Sequence, residues 1–449
     1  MRFRMRTVLA LTGALALSLA TGCAQGGAAG SGGNTVTYWL WDANQLPAYQ
    51  ACAKGFEKQN PGLKVKITQM GWADYWTKLT ASFIAGTEPD VFTDHIQKFG
   101  QFADLEVLEP LDDLGLDDSA YQTGLAANWR GQDGHRYGAP KDWDTVALFY
   151  NQKLVEEAGL SSEQLNTLSW NPEDGGTFEK AIARLTVDKN GKRGDEEGFD
   201  KNNVKVYGMA TGGAGDADGQ TTWSPFVSSA GWKYTDKARW GTEYQYGSKT
   251  FQSVVDWYFG LAQKGYLAPF TDYTDGANPA NAQVASGKAA TSLDGAWMIS
   301  TYYGTKGLKV GTAPTPVGPT GKRATMMNGL ADSVTKNARN KEGAKKWVRY
   351  LASNECQKTV GGYGIVFPAT PEGTRAAVAA YEKKGIDVSA FTEPVTDKKD
   401  STTFSFPITD YAADVHSLMR PAMQDVYAND APVSGLTRTN DQINLILGQ

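Results

Sequence analysis

Near the start of the chain the hydrophobic pattern changes period repeatedly. Residues 35–41 (TVTYWLW) are β-branched and aromatic nearly throughout, which predicts a buried strand. Over 45–59, Tyr49, Cys52 and Phe56 recur at helical spacing until Asn60-Pro61-Gly62 ends the run. Leu63, Val65 and Ile67 then alternate, a second strand over 63–69. Tyr75, Leu79 and Phe83 fall four apart, a helix over 74–86 closed by Gly86, and 90–93 reads as a short third strand. Strand, helix, strand, helix, strand predicts a doubly wound α/β unit.

The remainder repeats this theme less regularly. Strands are expected at 145–151 (TVALFYN), 206–210, 289–293, 308–312 and 324–330. Helices are expected at 178–185, 222–230, 251–264, 342–351, 355–361, 371–381, 411–428 and 434–447. Long loops fall at 188–203 and 233–249, and no short repeat or heptad run is present. A length of 449 residues accommodates two or three such units, each able to bury its own core. With 50 Gly and 18 Pro the composition excludes collagen-like and disordered chains. A net charge of −5 with no basic block argues against nucleic acid as the main partner.

The N-terminus carries a targeting signal. Arg2, Arg4 and Arg6 precede an apolar run over 8–20, and Ala20-Thr21-Gly22-Cys23 follows. This reads as a secretory signal with a small-residue cleavage site, too short to span a bilayer. Cys directly after Gly22 resembles the lipobox of bacterial lipoproteins. That resemblance implies a signal over 1–23, acylation of Cys23 with palmitate-type chains, and a flexible Gly/Ser tether over 24–34. The expected location is the outer face of the bacterial cytoplasmic membrane, held by the lipid alone; a secreted protein with an incidental Cys is the alternative. Cys52 and Cys356 then remain. In an oxidising compartment the pair forms either a disulfide or two buried thiols, and neither has CxxC spacing.

Motifs for chemistry are absent. There is no phosphate-binding GxxxxGK[ST], no GxGxxG after a strand, no GxSxG elbow and no HExxH. His95, His135 and His416 are scattered, so no metal is expected, and no cofactor. Residues 188–196 (DKNGKRGDE) begin like a calcium loop, but Lys192 stands at a ligand position and Phe199 at the twelfth, so a solvated loop is expected. The unusual feature is the 13 Trp and 20 Tyr. Several aromatics stand beside Asp or Gly at predicted strand ends: Trp41-Asp42, Gly71-Trp72, Asp142-Trp143-Asp144 and Asp294-Gly295-Ala296-Trp297, with Asp94-His95 after the third strand. Ligands of open α/β sheets bind beyond strand carboxyl ends. Indole faces stack on sugar rings while carboxylates accept hydrogen bonds from the hydroxyls. Core packing is the competing reading for each Trp taken singly.

The order of YWLWD, FEKQNPGLKVKI, GTEPDVFTDHIQKFG, YGAPKDWDTVALFYNQKLVEEAGL, SGKAATSLDGAW and YLASNECQKTVGGYGIVFP resembles the carbohydrate-binding solute-binding lipoproteins of ABC importers, related to maltose-binding protein. The resemblance spans residues 35–447. It implies a periplasmic-binding-protein-like α/β fold of two lobes joined by a multi-segment hinge, with the ligand in the cleft and no catalysis. One lobe would comprise 35–144 and 299–367, the other 145–298 and 368–449. Carried over by position, the ligand contacts would be Trp41, Asp42, Ala43, Asp94, His95, Trp143, Asp144, Thr221, Trp223, Trp297, Asn328, Tyr363 and Phe367; the strand-end pattern itself adds Trp72, Asp142 and Asp294. At Asp94-His95 the chain departs from the family's stacking aromatic. The implied partners are a mono- or oligosaccharide and the permease's transmembrane subunits, with the protein a monomer. A surface glycoside hydrolase or lyase using two cleft acids is the rival reading.

Overall fold

A computed structural model describes residues 33–273, 276–396 and 399–448; the signal, most of the tether and Cys23 lie outside them. The first predicted run becomes β1 (Thr35–Leu40), α1 (Leu46–Gln59), β2 (Lys64–Gln69), α2 (Trp72–Ala85) and β3 (Val91–His95). β1 lies parallel to both β2 and β3, as β-α-β connections require. α1 opens on Pro47 and buries Tyr49, Cys52 and Phe56. α2 ends at Gly86, whose φ of 63° is left-handed and suits glycine. α3 (Ile96–Asp104) follows β3 without a loop.

β4 (Ala139–Asp144) has no strand-like pattern in the sequence, because Lys141-Asp142-Trp143-Asp144 resembles a charged loop; yet all six of its residues are buried. Lys141 and Asp142 tolerate this by pairing, with Nζ 2.6 Å from Oδ2. Lys141 also donates to Gln45 Oε1 at 2.5 Å and lies 4.4 Å over the Tyr49 ring. Burial opposes its charge, but Asp142, Tyr49 and Asp332 together outweigh that and raise the lysine pKa.

The later strands are β5 (Val146–Asn151), β6 (Val187–Asp188), β7 (Val204–Met209), β8 (Ala289–Gly295), β9 (Val310–Ala313), β10 (Arg323–Met326), β11 (Asn328–Val334), β12 (Phe367–Pro368) and β13 (Ser401–Phe404). The first sheet has the order β12-β4-β11-β3-β1-β2 and the second β6-β7-β8-β5-β9. β11 is antiparallel to β3 and β4, so the carboxyl ends of β1, β3 and β4 share an edge with the amino end of β11. In the second sheet β7 and β8 are parallel and β5 opposes β8, so the ends of β7 and β8 meet the start of β5. Only Thr145 separates β4 from β5, which turns the two edges toward each other.

β10 and β13 form a parallel two-stranded ribbon between the sheets. Thr325 Oγ1 accepts from Val146 N–H at 2.9 Å and donates to Val146 O at 2.8 Å, and Met327 N–H donates to Phe404 O at 2.7 Å. The crossings are thereby tied together. Two segments sit elsewhere than the expected lobe boundaries put them. β9 pairs with β5 in the second sheet. Helix Pro371–Lys383 packs on the first-sheet side, with Tyr381 5.8 Å from Phe367 and Gly361 closed against Gly373.

Cys52 on α1 and Cys356 on helix Asn354–Gly362 are joined by a disulfide, their Cα atoms 5.3 Å apart and 304 positions apart in sequence. A cross-link over so long a loop restricts the unfolded chain, an effect of about 2–4 kcal/mol. The Cys52→Ser/Cys356→Ser double variant is therefore expected to unfold at distinctly lower denaturant; an unchanged midpoint would contradict this. In the 188–203 loop, Asp188 Oδ1 accepts from Asn190 and Lys192 N–H (2.8 and 2.9 Å) and Oδ2 from Asp200 N–H (3.0 Å). Its carboxylate is the organiser of the loop. No described helix is long and apolar enough to cross a membrane.

Candidate functional site

At the first sheet's edge β1 runs into Trp41. Its half-buried indole lies 5.1 Å from Trp72, 5.2 Å from Tyr75 and 5.3 Å from Trp76, all on α2, and 6.1 Å from His95. Trp72 leaves 46% of its surface open. The result is a platform of three neighbouring indoles. Asp42 shapes the turn beneath it, accepting from Asn44 N–H (2.8 Å) and from the Gln45 side-chain amide (3.0 Å), while Ala43 is exposed.

β3 ends in Asp94-His95. Asp94 is fully buried and accepts from His95 N–H at 2.8 Å. His95 caps α3, its Nδ1 accepting from Gln97 N–H at 3.1 Å, and burial pushes its pKa down to about 3, so the ring is neutral. Asn328 sits opposite Asp144 in the β4–β11 register. Its amide reaches His95 Nε2 at 3.1 Å and Asp144 Oδ2 at 3.2 Å. Asp144 Oδ1 and the other end of the Asn328 amide are buried without a protein partner. Burial, with Asp142 nearby, raises Asp144 well above the usual carboxylate range. Each unsatisfied polar atom costs about 1–3 kcal/mol. A hydroxyl-bearing ligand would relieve both.

The second edge is built from β8. Burial raises Asp294 to about 7 despite hydrogen bonds from Gly295 N–H (2.9 Å) and the Tyr302 hydroxyl (3.2 Å). Trp297 is half-buried and lies directly on Gly295, where any Cβ would enter the indole; glycine is what lets the ring lie there. Thr221, on the loop after β7, is half-buried. If this edge holds the saccharide that the resemblance implies, Trp297→Ala weakens its binding at least about tenfold, which is 1.4 kcal/mol, with a small change in melting temperature. A destabilised fold with unchanged affinity would assign Trp297 to the core instead.

Burial corrects three of the expected contacts. Trp143 stacks on Phe367 at 4.9 Å and donates through Nε1 to Thr374 Oγ1 at 3.0 Å. Trp223 donates to Ala214 O at 3.1 Å and packs 5.1 Å from Phe251. These rings and Phe367 have no more than 1% of their surface open, so they are core and not stacking faces. Asp142 is engaged by Lys141, and Tyr363 is exposed beyond helix Asn354–Gly362. Other residues join the site unannounced. Trp76 is one of them, although its place one helical turn after Trp72 is a local signal. Gln97 donates to Asp218 across the edges, His416 Nε2 stands 3.2 Å from Asp218 Oδ2, and Phe406 lies 5.3 Å from the His95 ring. Gln97 and Asp218 are 121 positions apart, beyond any local pattern.

A family model described as bacterial extracellular solute-binding protein matches residues 42–358. The maltooligosaccharide ABC transporter solute-binding lipoprotein of Streptococcus pneumoniae is 24% identical over 324 residues, 71% of this chain and 69% of that one. An ABC substrate-binding protein from Listeria monocytogenes, solved in complex with cycloalternan, superposes with a TM-score of 0.73 at 20% identity, covering 92% of this chain and 99% of that one. The GacH receptor of Streptomyces glaucescens, solved unliganded and with acarbose, gives 0.70 at 22% identity over 92% and 98%. At these identities the solved structures establish the two-lobed α/β fold. The match over residues 42–358 establishes the rest: the chain belongs to the bacterial extracellular solute-binding protein family.

Proposed function

We propose that the protein captures a neutral mono- or oligosaccharide between its two sheet edges and delivers it to the transmembrane subunits of an ABC importer. The observation that carries this reading is the pair of unsatisfied buried groups, Asp144 Oδ1 and the free end of the Asn328 amide, beside the indoles of Trp41, Trp72 and Trp76. Apolar faces with a few convergent polar atoms are how a sugar ring is held. His95 is neutral there, which suits an uncharged ligand. The names of relatives point the same way, to maltooligosaccharides and cycloalternan.

Binding favours the closed arrangement of the lobes, and the permease recognises that form. In this reading the first lobe is 33–144 with 328–383 and the second 146–313 with 408–448, the segments between them being the hinge. The protein acts as a monomer and makes or breaks no bond in its ligand. Titration calorimetry against maltooligosaccharides, other neutral disaccharides and a glycerophosphodiester tests the ligand class. Release of new reducing ends from the same oligosaccharides would instead favour a glycoside hydrolase. Lipidation of Cys23 holds the protein at the outer face of the membrane. Cys23→Ser is expected to appear in the culture medium, since a Gly/Ser tether has no membrane affinity of its own; membrane retention after a salt wash would refute the anchor.

A further inference from the structure

The seam between the lobes contains an arrangement that saccharide binding does not use. From the first lobe come α3 and the loop around Gln132. From the second come Trp240 and the segment 408–411, which Gly241 N–H and the Tyr244 hydroxyl tie down through Ile408 O (3.2 Å) and Thr409 Oγ1 (3.1 Å). Trp240 Nε1 donates to Arg130 O at 3.0 Å, and its ring lies 6.0 Å from Phe99. Gly100 closes on Thr409 O so tightly that no Cβ would fit. Trp240 and Tyr411 both hold positive φ, 51° and 54°, which bulky residues adopt only where the surroundings force it.

Inside this seam two carboxyls meet. Asp104, the last residue of α3, accepts from Tyr411 N–H at 3.2 Å, which sets its carboxyl beside the neighbouring Asp410. Gln132 Nε2 holds both Asp410 oxygens, at 2.6 and 2.9 Å. Neighbouring carboxylates repel each other, and a proton on one of them removes that repulsion. The charged groups facing them are engaged elsewhere. Lys336 pairs with Glu106 (3.4 Å), Arg130 with Asp118 (3.3 Å), and Lys341 and Lys345 with Glu109 (2.8 and 3.1 Å). Asp133 accepts from the Tyr137 hydroxyl at 2.7 Å, and from the second lobe His416 faces Asp218. Asp414, in the first turn of helix Ala412–Asn429, adds a further negative charge. Asp104 also lines an open cavity of about 460 Å³, so water can bring and remove the proton.

We propose that Asp104 and Asp410 form a proton-operated latch that holds the lobes closed in mildly acidic surroundings and releases them as the pH rises. The proposal rests on the reading of the protein as a closing binder. Burial first, and Asp410 second, raise Asp104 to about 7 with the lobes in contact at this seam; with the lobes apart it would return to the ordinary aspartate value near 3.9. A group whose pKa is raised in the closed state favours closure fully below its open-state value, and the effect is lost as the pH rises through about 7. The closing equilibrium should therefore fall about tenfold between pH 6 and pH 8.

The test is small-angle scattering of the ligand-free protein at pH 6 and pH 8, with calorimetry of maltotriose at the same two values. The radius of gyration should be larger at pH 8, and maltotriose affinity about tenfold weaker. Asp104→Asn, whose amide donates to Asp410 without titrating, should remove both differences. That variant separates the latch from Asp294 and Asp332, which burial also raises to about 7 but which are partnered within one lobe by Tyr302 and Tyr38. A wild type insensitive to pH, or an equal slope in Asp104→Asn, would overturn the latch. Compaction that follows pH in a protein that binds no maltotriose would leave the latch standing and count against maltooligosaccharide as the ligand.

Discussion

Trp41→Ala is expected to weaken saccharide binding by one to two orders of magnitude. Trp41 is the hub of the first edge, within 5.3 Å of Trp72, Tyr75 and Trp76 by ring centroids. Truncation removes one stacking face and leaves Trp72 and Trp76 free to collapse into the space. An indole covering a pyranose excludes on the order of 100 Å² of apolar surface from water, about 2.5 kcal/mol at ~25 cal/mol per Å². At 1.4 kcal/mol per factor of ten that approaches a hundredfold. Trp41→Phe should recover part of the affinity because a smaller ring still stacks. As a control, Trp129, fully buried and 5.3 Å from Phe99, should lose stability on truncation and leave affinity nearly unchanged. If Trp41→Ala binds as the wild type does, the aromatic platform is not the sugar site.

Lys141→Ala should be the most destabilising single change among the residues considered, at about 3–5 kcal/mol, because it leaves Asp142 as an uncompensated buried charge. The same change removes the donor to Gln45 and the cation over Tyr49. Adding Asp142→Asn to Lys141→Met replaces both charges and should recover much of the loss, since a neutral pair of similar volume has little to desolvate. Chemical denaturation of the single and double variants checks this. A single variant as stable as the wild type would mean that Asp142 finds another partner or water.

The legible and illegible parts of this fold divide along physical lines. β1 and β2 were readable because each leaves one face more open than the other, and such an element writes its period into the sequence, while β3, buried throughout, showed only as a short strand. β4 was not, because both of its faces are buried and its charges cancel within the strand; Lys141-Asp142 looks solvated until the 2.6 Å pair is seen. Trp143 and Asp144 illustrate the limit for the site. Adjacent strand residues point to opposite faces, so the indole enters the core against Phe367 while the carboxyl meets Asn328. Composition could flag both and choose neither. Trp223 likewise turns inward because Gly215 and Gly219 leave room for its ring. By contrast, the cysteine pair was legible by counting, since setting Cys23 aside leaves only two thiols to join.

The central claim, that the facing edges bind a neutral saccharide and close on it, is tested most directly by calorimetry of the purified protein with a maltooligosaccharide series. The account predicts saturable binding at one site per chain, weakened by one to two orders of magnitude on truncation of Trp41, with the sugar recovered intact. Absence of binding to every neutral sugar, together with tight binding of a charged solute, would contradict it.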